Sequence, residues 1–533
     1  MLKQIINFFY FNTKFEARLK NAFNILEKNK KIKNLYKLKE RLSNIRYKIK
    51  KNTINDGYFK YNLDLYLSLN QFIYSRLINK PIFTSKLMFS MANNDNFIFP
   101  LPKIYLDEIN KIVKVNYLIS KVLFYTFLTF FFLYQLSIIL KSAFLLFNKK
   151  AYKSKKILLD SVPKLNFESL KDDKEVNFFK WVIKKFDINS DSIFIHNNAG
   201  IKNQKIILGK NKYKVLYQKN IFTCYLNFNR YLLSLKKTLF IVIKIIFFGK
   251  IELLLLSKEL FNFYLSGCLK NNQNYDLCLF NNSNMVFRPL WTHVNERINP
   301  GSVFVYFYST NLIPLLQEID KEKYFDVYGY SLHSWPNYIT WSDIHSEWLS
   351  NSINKKIKLI KTSFVPFAGK HTKLIKKRRT LTIFDVPPKK LGIYYLLNNP
   401  YNIYTLDYCK KFVEDIIRAI PESIYRDIDI IFKIKREYKN IHPLYKKYIN
   451  EITSHKNIKL INDISPESVI DISDATISIP FTSTAITSLR KGKHSIYYDP
   501  SEKLSKNNCL ENEVKLVTSF KELENWITDC FEK

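Results

Sequence analysis

At 533 residues the chain is longer than one ordinary core organises, so two or more domains are expected, and 47% hydrophobic with 16% aromatic residues excludes a disordered polymer. Lys and Arg number 84 against 46 acidic residues, a formal charge of +38 that favours phosphorylated metabolites, lipid head groups or nucleic acid as partners; an AT-rich genome would enrich the same Lys, Asn, Ile, Tyr and Phe. Six scattered cysteines form no metal-type or redox-type pair, and the 10 glycines form no P-loop and no dinucleotide fingerprint, which sets disulfide scaffolding, nucleotide triphosphate hydrolysis and NAD chemistry aside.

Residues 1–115 carry helix-like apolar spacing among many lysines, as in "ILEKNKKIKNLYKLKERLSNIRYKIKKN", and read as a basic helical region. The start has no small-residue cleavage site, so a secretory signal is not expected. Within 116–150, Val122 to Leu140 runs 19 residues without a charge between Lys121 and Lys141, enough to cross a hydrocarbon core or to lie on one as an interfacial helix. A second stretch, Leu235 to Leu256, keeps Lys244, Lys250 and Glu252 among its apolar residues and reads as an amphipathic interfacial helix inserted in a domain spanning 151–370.

From about residue 270 apolar and β-branched runs alternate with helix-compatible stretches: "VFVYFYS", "YFDVYGYS" and "IKLIKTSFV" read as strands. The basic stretch 367–379 reads as a linker. Beyond it, "RTLTIFDVP", "DIDIIFKIK", "IKLIND", "ATISIP" and "HSIYYD" read as strands separated by helices, the last helix being "FKELENWITDCFEK". The expected fold is α/β, with two Rossmann-like domains facing a cleft behind a helical, membrane-associated amino-terminal region, and the second domain at 380–533.

Pro480, Phe481, Thr482, Ser483 and Thr484 fall between a strand and a helix, where doubly wound folds bind ligands and free helix amides attract phosphate. Simple helix capping by a hydroxyl is the competing reading. Lys433, Lys435, Arg436 and His442 follow another strand of the same domain, so the four could meet a phosphate; a solvated basic face is the alternative. Tyr498 and Asp499, with Tyr497, are placed to contact a nucleoside, and Asp385 ends a strand at the same edge. On the acceptor side, Glu296, His293 and Asp343 are candidate general bases, with His345 and Glu347 near Asp343. Trp291, Trp335 and Trp341 either stack on sugars or fill the core. No Asp-x-Asp pair suits the site, so a metal-independent reaction is expected.

The blocks "FRPLWTHVNERINPGSVFVYFYSTN", "SWPNYITWSDIHSEWL", "IFDVPP", "IFKIKREYKNIHPLYKKY" and "ATISIPFTSTAITSLRKGKHSIYYDP", between about 285 and 533, resemble the PFTS-motif polysaccharide biosynthesis proteins of bacterial surface-carbohydrate loci. The resemblance implies a GT-B-like glycosyltransferase that uses a nucleotide sugar as co-substrate, no separate cofactor, and a lipid-linked glycan or growing polysaccharide as acceptor. The basic and apolar amino-terminal segments would hold such an enzyme at the cytoplasmic face of the bacterial inner membrane, against an anionic lipid surface, and these apolar stretches, with no RRM, KH, zinc or helix-turn-helix signature, leave nucleic acid out as a partner. His442-Pro443 and Ser483-Thr484 are also similar to short elements of GT-B sialyltransferases and Kdo transferases, which implies a CMP-linked ulosonic acid donor as an alternative to UDP- or GDP-sugars. A non-catalytic scaffold of the polysaccharide machinery is the second alternative.

Overall fold

The computed structural model describes residues 13–45, 63–143, 156–160, 178–187, 192–196, 204–208, 211–218, 228–268, 274–281, 286–307, 329–341, 343–353, 357–362, 372–388, 404–435, 442–454, 457–462, 464–480, 482–502, 504 and 514–532. The amino-terminal region is helical: α1 (Thr13–Lys28), α2 (Ile32–Ser43), α3 (Leu65–Ile73) running into a π-turn at Tyr74–Ile78, α4 (Pro81–Asn93) and α5 (Lys103–Asn110). Their apolar stripes, including Leu26, Leu38, Leu69, Phe83 and Leu87, close a common core.

Helix α6 (Tyr117–Ser142) follows, its first turn capped by Asn116, whose side chain accepts the Ile119 amide. It is the one described helix long and apolar enough to cross a membrane by length and composition. Only one stripe of it is buried, at Ser120, Phe124, Leu128, Gln135, Ile139 and Ser142, and that stripe runs the whole length of the helix. Gln135 fixes its middle: Nε2 donates to the Leu254 carbonyl at 3.2 Å and Oε1 accepts the Lys258 amide at 2.9 Å.

The first sheet domain contains β1 (Lys156–Asp160), α7 (Phe178–Lys185), β2 (Ser192–His196), β3 (Gln204–Leu208), β4 (Asn211–Gln218), α8 (Phe228–Phe247), α9 (Ser257–Gly267), β5 (Leu277–Asn281), α10 (Trp291–Ile298), β6 (Val303–Tyr306), β7 (Asn337–Thr340), α11 (Asp343–Ser352) and β8 (Lys358–Lys361). The strand order is β3-β4-β2-β1-β5-β6-β7-β8, with β3 antiparallel to β4 and every other pair parallel. Central strands β5 and β6 are buried throughout, as parallel strands covered on both faces must be. The helical region is tied to this domain by Gln71, which donates to the Leu332 carbonyl and to Ser334 and accepts the Arg288 amide. Gly329 makes the close approach possible: its φ is +80°, and a Cβ there would meet the Tyr74 ring at 2.6 Å.

The second sheet domain contains β9 (Arg379–Phe384), α12 (Leu406–Arg418), α13 (Glu422–Asp427), β10 (Ile428–Lys433), α14 (Pro443–Ile452), β11 (Ile458–Ile461), α15 (Pro466–Ile472), β12 (Ala475–Ser478), α16 (Ser483–Arg490), β13 (His494–Tyr498), β14 (Lys515–Val517) and α17 (Phe520–Phe531). All six strands are parallel, in the order β11-β10-β9-β12-β13-β14. Numbered within the domain this is 3-2-1-4-5-6, the doubly wound order, and its direction of winding reverses between β9 and β12.

One sequence expectation is corrected and another is only partly described. Leu235–Leu256 is not one interfacial helix: α8 ends at Phe247, Gly249 turns the chain at φ +63°, and Leu253–Leu256 are buried in a 3₁₀ turn. The run "YFDVYGYS" gives no strand in its described part, where Tyr330–Leu332 form a 3₁₀ turn; residues 324–328 lie outside the described residues. Trp291, Trp335 and Trp341 are fully buried core residues, unavailable for stacking on a sugar.

Candidate functional site

The carboxyl ends of β9 and β12 flank the reversal in the second sheet. Phe384, the last residue of β9, pairs with Lys433 on one side and Ser478 on the other. The residues that follow, Asp385, Ile434 with Lys435, and Ile479 with Pro480, therefore form one row along the edge where doubly wound sheets bind ligands.

On the β12 side Ile479 and Pro480 follow the strand and Thr482 precedes α16. Tyr404 Oη donates to the Pro480 carbonyl at 3.1 Å and Tyr497 Oη donates to the Thr482 carbonyl at 2.9 Å, so buried tyrosines hold these carbonyls from within. In a trans peptide the carbonyl and the following N–H point in opposite directions. Turning the Thr482 carbonyl inward therefore turns the Ser483 amide outward.

Thr482 is the N-cap residue of α16 by position, yet its side chain makes no capping bond. Its Oγ1 donates back to the Ile479 carbonyl at 3.0 Å and meets Thr484 Oγ1 at 3.1 Å, which in turn meets Ser478 Oγ at 3.1 Å. Two of the three hydroxyls are thus spent on holding the loop. Among the described residues the Ser483 hydroxyl makes no hydrogen bond and the Thr482 side chain does not cap the α16 amides, while Ser483 itself is 4% exposed. An uncapped helix start beside a free hydroxyl is an anion-binding arrangement, strengthened by the helix dipole.

Asp385 is 3% exposed on the β9 side. Its Oδ2 accepts the Tyr445 hydroxyl at 3.0 Å and its Oδ1 accepts the Lys435 amide at 3.3 Å. Burial pushes its pKa up to about 7, against the opposing pull of these bonds and of Lys433 and Lys435.

The other expected ligands are distributed unevenly. Lys433 is buried, and its Nζ donates to the Ile434 and Asn462 carbonyls at 2.8 Å each, bracing the ends of β10 and β11 instead of facing a phosphate. Lys435 is exposed beside Asp385. His442 caps α14, its Nδ1 accepting the Leu444 amide at 3.3 Å ahead of Pro443 at the first helical position. Tyr498 donates to Asp415 at 2.8 Å inside the core. Asp499 accepts the Tyr408 hydroxyl, the amide and hydroxyl of Ser501 and the Leu504 amide. Both are therefore structural and corrected as nucleoside contacts, because their polar atoms are consumed internally. Arg436 and Phe481 lie outside the described residues.

In the first sheet the winding reverses between β1 and β5, which end in the buried polar residues Asp160 and Asn281. Sequence reasoning missed both, since neither sits in a distinctive motif. Helix α10 follows β5 and begins at this edge; half-buried His293 is in its first turn. Glu296 is in the turn below, and its carboxylate accepts the amides of Gly301 at 2.7 Å and Val303 at 2.9 Å, with Asn337 Nδ2 at 3.4 Å. Val303 starts β6, so Glu296 clamps the amino-terminal edge, opposite to the ligand edge, and the base expectation is corrected there. Asp343 starts α11 at the carboxyl end of β7, exposed and paired with Lys361 at 2.7 Å. His345 is buried, and burial drives it down to about 3.

Two Rossmann-type sheets in tandem, the second carrying an anion-receptive helix start at its switch point, define a protein of the GT-B plan. The model of the polysaccharide biosynthesis PFTS motif proteins matches residues 234–527, more than half of the chain. The chain belongs to that family. No curated protein matches it in sequence.

Among solved structures it is similar to that of trehalose-6-phosphate from E. coli bound with UDP-2-fluoro glucose, at 9% identity and a TM-score of 0.35, covering 70% of this chain and 91% of that one. An α,α-trehalose-phosphate synthase (UDP-forming) from Burkholderia xenovorans gives 7% identity and a TM-score of 0.37, covering 71% and 92%. TarM gives 10% identity and a TM-score of 0.31, covering 51% of each chain. These likenesses are loose; the strand orders define the fold.

Proposed function

We propose that the protein is a glycosyltransferase that moves a sugar from a nucleotide donor to a lipid-linked or growing glycan. The observation that carries this reading is the placement of the Pro480–Thr484 turn at the second sheet's switch point, with the Ser483 amide turned outward, its hydroxyl free and the helix uncapped. The donor's phosphate would accept from the Ser483 N–H and Oγ and the next α16 amides, with Lys435 adding charge. In the reaction the bond between the anomeric carbon and the donor phosphate oxygen breaks and the electron pair leaves on the nucleotide. An acceptor hydroxyl oxygen bonds to that carbon and gives up its proton. These donors stabilise the charge growing on the departing phosphate, the term that dominates such catalysis.

His293 takes the base role in this reading, because α10 places it at the ligand edge beside the first sheet's switch strand, whereas Glu296 faces the other way. No resident cofactor or metal is part of the reading. Thermal-shift screening against CMP, UDP, GDP and their sugar conjugates tests it: one nucleotide should raise the midpoint, and Ser483→Ala should reduce that shift without lowering the ligand-free midpoint. Absence of any nucleotide-dependent shift across the panel would refute it.

The same proposal holds the protein on one leaflet instead of across a bilayer. The faces of α6 and α8 away from the protein are apolar, with Phe130 70%, Leu133 53%, Ile243 64% and Phe247 82% exposed. The two helices meet where Tyr231 Oη donates to the Ile139 carbonyl at 3.1 Å. Since protein lines α6 from Ser120 to Ser142, a spanning pose would drag the 251–268 segment and its charges into hydrocarbon, while an in-plane pose buries only the apolar faces.

A further inference from the structure

A cavity of about 730 Å³ lies among the amino-terminal helices, remote in sequence from either switch point. Lys31, Lys37, Arg41, Lys111 and Lys114 line it. Among the described residues Lys31, Lys37, Arg41 and Lys114 make no ion pair and no side-chain hydrogen bond, and only Lys111 is neutralised, by Glu108 at 2.5 Å. Two carboxylates, Glu40 and Asp95, also line the cavity, so cations outnumber them. Lys31 is the N-cap position of α2 and supplies no capping side chain, so the start of this 12-residue helix opens beside the same cations. Unpaired like charges held around one hollow repel each other, which an anion would relieve.

The chain continuing from this wall identifies the source of the anion. Lys114 is three residues before α6, whose first turns expose Leu118, Ile119 and Val122, Leu118 by 76%. The cavity wall at Lys114 is therefore continuous with the amino-terminal end of the apolar α6 surface, which the docking reading above puts against lipid. We propose that it is a binding site for the phosphate head group of a membrane lipid whose chains remain in the bilayer. This inference rests on the in-plane docking reading above. A phosphate bearing one to three negative charges matches the excess cations, the α2 amides supply hydrogen bonds, and the neighbouring apolar rim admits the chains.

The experiment is co-sedimentation of the full chain with phosphatidylcholine vesicles, alone and with phosphatidic acid at a fixed fraction. Wild type should bind the neutral vesicles through its apolar faces and bind the phosphate-bearing vesicles at least about tenfold more tightly, given the worth of several cations near a head group. Lys37→Glu, Arg41→Glu and Lys114→Glu together should abolish that increment and leave binding to neutral vesicles intact. Reversing three exposed lysines of the other domain, Lys373, Lys377 and Lys521, controls for bulk charge and should keep most of it. Equal losses from both triple variants would overturn the site, as would a thermal shift with free inorganic phosphate or glycerol phosphate that the cavity variant loses while its vesicle increment survives. Leu133→Asp with Phe247→Asp tests the docking reading separately: if neutral-vesicle binding is unchanged, that reading fails whatever the cavity does.

Discussion

Asp385 allows a sharp test of how the second switch point is built. Its carboxyl sits near 3.8 in an ordinary setting and is pushed up to about 7 here by burial. Between these two values the folded protein keeps a proton that the unfolded chain releases, so this residue's contribution to stability is fully present below pH 4 and is lost as pH rises through 7. A displacement of roughly three units corresponds to about 4 kcal/mol over that window. Asp385→Asn removes the titration while keeping an acceptor for the Lys435 amide and a polar partner for Tyr445. Urea unfolding at pH 5 and pH 8, read by hydrogen exchange of β9 and β12 amides, should show wild type losing about 3 kcal/mol relative to the variant, the part of the window that lies above pH 5. There is a functional counterpart. Adjacent strands lie roughly 5 Å apart, so an ionised Asp385 would oppose a phosphate at Ser483. Nucleotide affinity should fall as pH rises through 7 in wild type and stay flatter in the variant. Parallel stability profiles for the two proteins would show that the carboxyl is not held neutral and would remove the argument.

Ser483→Ala should weaken nucleotide binding by about ten- to a hundredfold, the worth of one hydrogen bond to a charged group, measured by calorimetry; Thr482→Val should instead lower the melting midpoint, since its hydroxyl holds the loop. Lys39→Met should stabilise the protein: among the described residues its buried Nζ has no acceptor and burial lowers its pKa to about 7, so the gain is on the order of 4 kcal/mol at pH 6, shrinks as pH rises from 7 and is gone by pH 11, as denaturant melts at pH 6 and pH 9 would reveal. His293→Ala should lower turnover at least about a hundredfold with nucleotide binding retained, while Glu296→Gln should chiefly reduce stability. Turnover unaffected by EDTA is the outcome the proposed metal-independent transfer requires.

The second sheet was largely legible because its strands are short, apolar and regularly punctuated: "TLTIF", "IIFK" and "ATIS" each read as buried parallel strands and each falls in the sheet. Strand β14 was missed, having three residues and an exposed lysine at its start. Strands β1 to β4 were missed for another reason. Those of β3 and β4 mix lysines into the apolar pattern, as in "NKYKVLYQ", and β1 and β2, "KILLD" and "SIFIH", are five residues each, too short for their apolar runs to show a period. The apolar stretch 235–256 misled because composition was averaged over a turn; Gly249 divides it into an outward helix and an inward 3₁₀ segment.

The site was legible in its location and not in its division of labour. A strand-to-helix switch carrying hydroxyls can be read from residue order, since Pro480 ends the strand and small polar residues begin the helix. Which hydroxyl faces the ligand depends on groups distant in sequence. Tyr404 and Tyr497 turn two carbonyls inward, Ser478 draws Thr484 into the loop, and Ser483 alone is left over. The same principle reassigns the cations: Lys433 and Lys435 are two residues apart and would share a face of a continued strand, yet β10 ends at Lys433, so the first reaches back to the Asn462 carbonyl while the second emerges beside Asp385. Basic residues in a motif therefore divide into those that build the edge of the sheet, as the buried Lys433 does, and those that emerge from it, as the exposed Lys435 does.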